Sequence, residues 1–160
     1  MIIRPTGADD RDALWAILEP VIRAGETYPL PLDMGREEAL AYWLAPSHST
    51  FVAEAGGEVV GIYYLRPNNR GGGDHVANCG YMTAPSARGR GVARAMGAHS
   101  LDELRRRGFR AVQFNFVIAT NAPSIHLWTS FGFEVLARLP GVFRHPTEGF
   151  VDALVMFRRL

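Results

Sequence analysis

The chain has one cysteine among its 160 residues, Cys79, which excludes an internal disulfide and any cysteine-rich metal site. Its five histidines form no i, i+4 pair and no Cys/His cluster, so no metal is expected. Eighteen consecutive apolar residues occur nowhere, and Met1 to Asp10 has neither a basic stretch nor a long apolar one. Export and membrane anchoring therefore drop out, and a reducing cytoplasm is the expected location. An excess of one charge is missing too. Seventeen basic against 16 acidic residues leave a net charge of +1, without the basic surplus that a nucleic-acid partner needs. Arg105-Arg106-Arg107 reads as the cationic C-terminal end of a helix.

What is present suffices for one domain, residues 1–160, that buries about two thirds of its unfolded surface. Apolar residues make up 48% and the mean hydropathy is −0.02, as in a globular chain. Ile2 to Arg4 reads as a strand. A helix is predicted from an N-cap at Asp9 to about Arg23, with Pro20 ending or kinking it early. After a loop at Gly25 to Pro31 comes a second helix, about Arg36 to Leu44. Thr50 to Ala55 and Glu58 to Arg66 read as a hairpin turning on Gly56-Gly57. A mobile loop is expected from Pro67 to Asp74. There follow a strand at His75 to Thr83, a helix at Gly91 to Arg107, a strand at Ala111 to Val117 and a helix at Ala122 to Phe131. Two strands near Phe133 to Leu139 and Phe150 to Phe157, joined by a Pro/Gly/His loop, complete the chain. The order βααβββαβαββ fits a mixed α/β sheet with helices on both faces.

Between the strand ending at Thr83 and the helix after Gly91 lies Arg88-Gly89-Arg90-Gly91-Val92-Ala93. Two glycines let successive N–H groups turn outward, and the helix start adds N–H groups that have no internal partner. Such a turn holds anions. It is no nucleotide-triphosphate loop, because no Gly-Lys-Ser/Thr closes it and no lysine can reach a γ-phosphate. The pattern Arg/Gln-x-x-Gly-x-Gly/Ala after Pro85 resembles the pyrophosphate loop of the GNAT superfamily of N-acetyltransferases. Asn121-Ala122-Pro123-Ser124-Ile125-His126-Leu127-Trp128-Thr129-Ser130-Phe131-Gly132-Phe133 is similar to that family's Asn-x-x-Ala-x-x-Leu-Tyr-x-x-x-Gly-Phe, and the likeness extends over nearly the whole chain.

The resemblance implies a GNAT-like, mostly antiparallel sheet and acetyl-CoA or coenzyme A as cosubstrate, gripped by Arg88, Gly89, Arg90, Gly91, Val92, Ala93 and Arg94. It assigns the Tyr81 N–H to the acetyl carbonyl, the Thr83 carbonyl to a pantetheine amide and Asn121 to the pantetheine arm. Asn121 also suits an N-cap for the helix at Ala122. Trp128 stands where many members carry a tyrosine acid; an indole N–H donates but is no usable acid, and its other role is an aromatic wall. Tyr64 is the nearest replacement. A thiol with a pKa of about 8.5 can leave without one.

Asparagines inside apolar strands need explaining, and Asn78 and Asn115 are two. They also suit satisfied amides at a strand splay or bulge. A closer similarity, to fungal acetyltransferases of L-azetidine-2-carboxylate and other proline analogues, implies that Asn78 and Asn115 bind the acceptor's carboxylate and orient its amine, which makes Asn115 a catalytic candidate beside Tyr81. Tyr28, in Tyr28-Pro29-Leu30-Pro31, and the 140–149 loop would wall a small-molecule pocket. An amine with a pKa of about 10.4 must shed its proton; Glu26, His75 and His145 are the candidate bases. Cys79 reads as a buried thiol, not an acyl carrier. The expected partner is a small-molecule amine, the expected assembly a homodimer. Acetylation of protein N-termini or lysines, and acetyl-CoA sensing without catalysis, are the alternatives.

Overall fold

A computed structural model describes the whole chain, Met1–Leu160. Its elements are β1 (Ile2–Pro5), α1 (Arg11–Ala24), α2 (Arg36–Trp43), β2 (Ser49–Ala55), β3 (Glu58–Pro67), β4 (Val76–Thr83), α3 (Val92–Arg106), β5 (Ala111–Ile118), α4 (Ala122–Ser130), β6 (Glu134–His145) and β7 (Gly149–Arg159). This is the order expected from the sequence. The strands form one sheet in the order β1-β2-β3-β4-β5-β7-β6. Every neighbouring pair is antiparallel except β4 and β5.

Alternation along the strands sends side chains to two cores. Ile62 and Tyr64 of β3 pack with α1 and α2, through Leu14, Ile17, Leu18, Leu40 and Trp43. Tyr63 and Leu65 face the opposite side, against Met96 and Leu104 of α3 and Trp128 of α4. In α1 the buried residues Leu14, Ile17, Leu18, Val21 and Ile22 recur at helical spacing. Each contributes about 1.5–3 kcal/mol on full burial.

Three expectations about local structure are corrected. Asp9 is not the cap of α1: it lies inside a 3₁₀ turn, Ala8–Asp10, and Asp10 sits at the cap position. The buried Asp10 carboxylate instead accepts from the Gly7 N–H at 2.6 Å and from both Arg4 terminal nitrogens at 2.8 and 2.9 Å, tying β1 to the helix start. Pro20 does not end α1, which runs on to Ala24. It lies on the exposed face, where the Ala16 carbonyl that loses its partner can turn to water. The third correction concerns 140–149, where only Pro146 to Glu148 form a turn. β6 continues to His145, and a register shift between Leu139 and Phe143 absorbs Pro140 and Gly141. Proline is tolerated because β6 is an edge strand, and Asp152 takes up the Gly141 N–H at 2.9 Å. At 67–74 the chain forms a 3₁₀ turn, Gly71–Gly73.

Candidate active site

β4 and β5 pair only through Val76 with Ala111 and Ala77 with Val112, and then diverge. The wedge between them is the mouth of a cavity of about 910 Å³. Register decides which backbone groups face it. Ala84 N–H donates to Val60 C=O at 2.9 Å and Asn68 N–H to Val76 C=O at 2.8 Å, so the even-numbered residues of β4 spend their amides on β3. Cys79, Tyr81 and Thr83 turn theirs toward the wedge. The phenol of Tyr28, reaching in from the α1–α2 loop, accepts from the Tyr81 N–H at 2.8 Å and donates to the Tyr81 carbonyl at 2.8 Å.

One end of the cavity is built from the glycine turn. Gly89 and Gly91 have φ of 75° and 77°, and a Cβ at either would meet no atom within 4 Å. Glycine is there for backbone shape, on a face left open. Gly91 caps α3 without a side-chain bond, and the ladder begins with Ala95 N–H to Gly91 C=O at 3.0 Å, which leaves the amides of Val92, Ala93 and Arg94 ahead of it. No acid occupies that first turn. The positive end of the helix is therefore uncompensated, and Arg88 and Arg94 stand beside it. Thr83, Arg88, Gly89, Gly91, Val92, Ala93, Arg94 and Asn121 all line the cavity. Arg90, expected with them, does not; its amide turns back to Ala87 C=O at 3.3 Å. These features fit a pyrophosphate at the turn and an amide-bearing arm along β4. Asn121 is the N-cap of α4 as well, its Oδ1 accepting from Ser124 N–H at 3.3 Å.

The other end lies on the α1–α2 face. Arg66 and Asn78 are cross-strand partners, as are Tyr64 and Gly80. Tyr64 lies flat over Gly80, where a Cβ would come within 2.5 Å of its ring. Its hydroxyl meets the Tyr42 hydroxyl at 3.3 Å, and His48 stacks on its ring at 4.2 Å between centroids. Asn115 does not pair with Asn78: its amide donates to Asn68 Oδ1 at 2.7 Å and accepts from Gln113 at 2.9 Å. Asn78 makes no side-chain bond, and Arg66 makes only one, to the neighbouring Pro67 carbonyl at 3.3 Å. Glu26 lines this end too, without an ion-pair partner. Arg66, Tyr42 and His126 were missed in the sequence; Arg66 left a faint sign, as a charge ending an apolar strand.

Of the other candidates, His75 and His145 lie outside the cavity, and so does the whole 140–149 segment, which corrects its expected role as a wall. Tyr28 and Pro29 do wall it. Trp128 is buried among Tyr81, Phe114 and Phe133 and gives its indole N–H to Ser124 Oγ at 3.0 Å, so it is an aromatic wall. Burial raises the Tyr64 phenol well above its ordinary value, which favours the neutral phenol and disfavours transfer of its proton to a thiolate. Burial also pushes Cys79 up to about 12, which keeps it a neutral thiol. No group of three or more His, Cys, Asp or Glu side chains gathers, and no helix is long and apolar enough to cross a membrane.

The family model described as acetyltransferase (GNAT) family matches residues 14–133. N-acetyltransferase aca1 of Schizosaccharomyces pombe is 30% identical, the match covering 84% of this chain and 72% of the yeast protein. A GCN5-related N-acetyltransferase from Kribbella flavida superposes with a TM-score of 0.95 at 40% identity, covering 99% of this chain and 97% of that one. Ribosomal-protein-alanine N-acetyltransferase from Brucella melitensis follows at a TM-score of 0.87 and 27% identity, with full coverage of both chains.

Proposed function

The chain belongs to the acetyltransferase (GNAT) family and is an acetyl-CoA-dependent N-acetyltransferase; from that premise we propose that residues 1–160 act as one domain that acetylates a small amine bearing a carboxylate, an amino acid or proline analogue. Acetyl-CoA supplies an activated acetyl group, which the amine attacks directly. The turn from Gly89 to Arg94 binds the pyrophosphate with backbone amides, and Arg88 adds charge. Thr83 and Asn121 hold the pantetheine arm. The Tyr81 N–H orients the carbonyl and polarises it, a contribution of roughly 3 kcal/mol for one preorganised donor.

The observation that carries the acceptor class is Arg66 opposite Asn78. A guanidinium without an acid partner and an amide with no bond of its own, side by side on one sheet face, offer several donors to a carboxylate. Glu26, from the facing loop, then receives the amine proton, and Asn115 orients the amine from β5. Asparagines at these positions are what the similarity to the proline-analogue enzymes implies. A peptide acceptor is the second reading, favoured by the likeness to the Brucella protein.

Turnover of acetyl-CoA against a panel of amino acids, their carboxamides, and peptides beginning with alanine tests it. Amino acids are expected to exceed their carboxamides at least tenfold in kcat/KM, and Arg66→Met to narrow that ratio. Equal use of both, or peptides alone as acceptors, refutes the acceptor assignment. Acetyl-CoA binding without turnover of any of these amines also refutes the acceptor assignment.

A further inference from the structure

Tyr28 belongs to no helix or strand, yet its hydroxyl makes both hydrogen bonds that a neighbouring strand would offer Tyr81. A hydroxyl can do this because it donates and accepts at once. The need is local: where β4 leaves β5, the amide and carbonyl of Tyr81 lose their strand partner. The phenol is held in place by more than those bonds. Its ring packs on the Trp43 ring at 6.1 Å between centroids, and the loop that carries it is framed by Gly25, in the left-handed region at φ 64°, and by α2. Burial keeps it protonated at neutral pH, so it brings a donor and no negative charge.

The amide that Tyr28 covers is the one assigned to the acetyl carbonyl. A carbonyl only accepts: it can take the Tyr81 N–H, and it returns nothing to the Tyr81 C=O. Once that amide is claimed, the Tyr28 hydroxyl turns its single proton from the Tyr81 C=O to the incoming oxygen, a switch that leaves the Tyr81 C=O without that donor while charge builds on the thioester oxygen. We propose that Tyr28 is a catalytic residue whose O–H joins the Tyr81 N–H as the second donor to the thioester carbonyl oxygen. The assignment rests on the acetyl-transfer function above. In that transfer the amine lone pair forms the C–N bond while the carbonyl π pair moves onto oxygen. The C=O then re-forms, the C–S bond breaks and its electron pair leaves on sulfur. The nitrogen gives up one proton to solvent or Glu26, and the thiolate takes one from solvent. Two donors at the oxygen are worth most at the stage when charge sits there. Tyr28 is also a wall of the acceptor end, so one residue touches both halves of the reaction.

Tyr28→Phe separates this role from the alternatives, since it keeps the ring and deletes the hydroxyl. With the Tyr81 amide uncovered, acetyl-CoA and coenzyme A should bind as tightly as to the wild type or tighter, by calorimetry. At saturation with both substrates kcat should fall about a hundredfold, the usual loss for one such donor, with the acceptor KM little changed. A kcat within threefold of wild type overturns the proposal whatever else happens: with tighter binding Tyr28 is only a latch, and with a lowered melting temperature only a structural tie. A tenfold loss of acetyl-CoA affinity also overturns it, because the hydroxyl would then serve binding. Should Tyr28→Phe fold poorly, kcat is measured below its melting temperature on the fraction that calorimetry shows to bind coenzyme A. Failure of the acetyl-transfer function would appear in the wild type, as no binding and no turnover; failure of this proposal appears only in the variant.

Discussion

Gly80→Ala should destabilise the protein and damage the acceptor end while sparing the cofactor end. The Cβ it adds would lie 2.5 Å from Tyr64 Cε1, 2.8 Å from Cζ and 3.0 Å from the hydroxyl, so the phenol must move. It has little room. Tyr64 is only 4% exposed, with His48 stacked on it at 4.2 Å, Trp43 edge-on at 5.0 Å and Tyr42 at 6.1 Å. Overpacking of this kind costs about 1–3 kcal/mol, and the lower entropy of an unfolded alanine offsets about 0.4–1 kcal/mol. The net, about 0–2.6 kcal/mol with its centre near 1.3, lowers the melting temperature of a chain this size by roughly 3–5 °C at the centre. Thermal denaturation followed by circular dichroism measures it. The cause can be isolated by repeating the substitution in Tyr64→Leu, where the clash is gone and Gly80→Ala should become neutral. A variant as stable as wild type, or one whose loss persists without the ring, refutes the packing account.

Asn78→Ala should leave the melting temperature unchanged and cut kcat/KM for the acceptor roughly tenfold to a hundredfold, since its amide has no partner inside the protein; Asn115→Ala should lower stability as well, because it releases Asn68 and Gln113. If both variants lose only stability, the asparagines are structural amides. Trp128→Phe should cost about 1–3 kcal/mol through the lost Ser124 bond and ring contacts, yet keep most of kcat at saturation; a hundredfold loss would give the indole N–H a direct role. Burial lowers the pKa of His48 below its ordinary 6.5. The unfolded chain therefore binds the proton first, and the contribution of His48 is present above about pH 6.5 and lost as pH falls through its folded value. Melting temperatures from pH 8 to 5 should decline less in His48→Gln than in wild type, and parallel curves would contradict this.

The order of elements could be read from the sequence because its signals are local. Gly56-Gly57 turns a hairpin, Gly25 and Gly108 stop helices, and apolar spacing gives α1 its face. Where tertiary context decides, the expectation failed. Pro140 and Gly141 look like a loop until β6 is known to be an edge strand whose bulge Asp152 satisfies. The glycine turn that lines the candidate cofactor end was legible for the same reason as the other turns: Gly89 and Gly91 lie together in sequence. Arg66, Tyr42 and His126 come from β3, α2 and α4 and line one cavity only through the tertiary packing of those elements. The bond of Tyr28 to Tyr81 spans 53 residues, and nothing in the local sequence of either reports it.

The central claim is that the glycine turn at the start of α3 binds the cosubstrate, and calorimetry of coenzyme A with wild type and Gly91→Val tests it most directly. The wild type should bind with a micromolar Kd, of order 7–8 kcal/mol. In Gly91→Val a β-branched side chain at φ 77° strains the turn by about 1–3 kcal/mol without meeting other atoms, so the fold should survive with a lowered melting temperature while the aligned amides are lost and binding disappears. Unchanged affinity in a folded Gly91→Val would contradict the assignment.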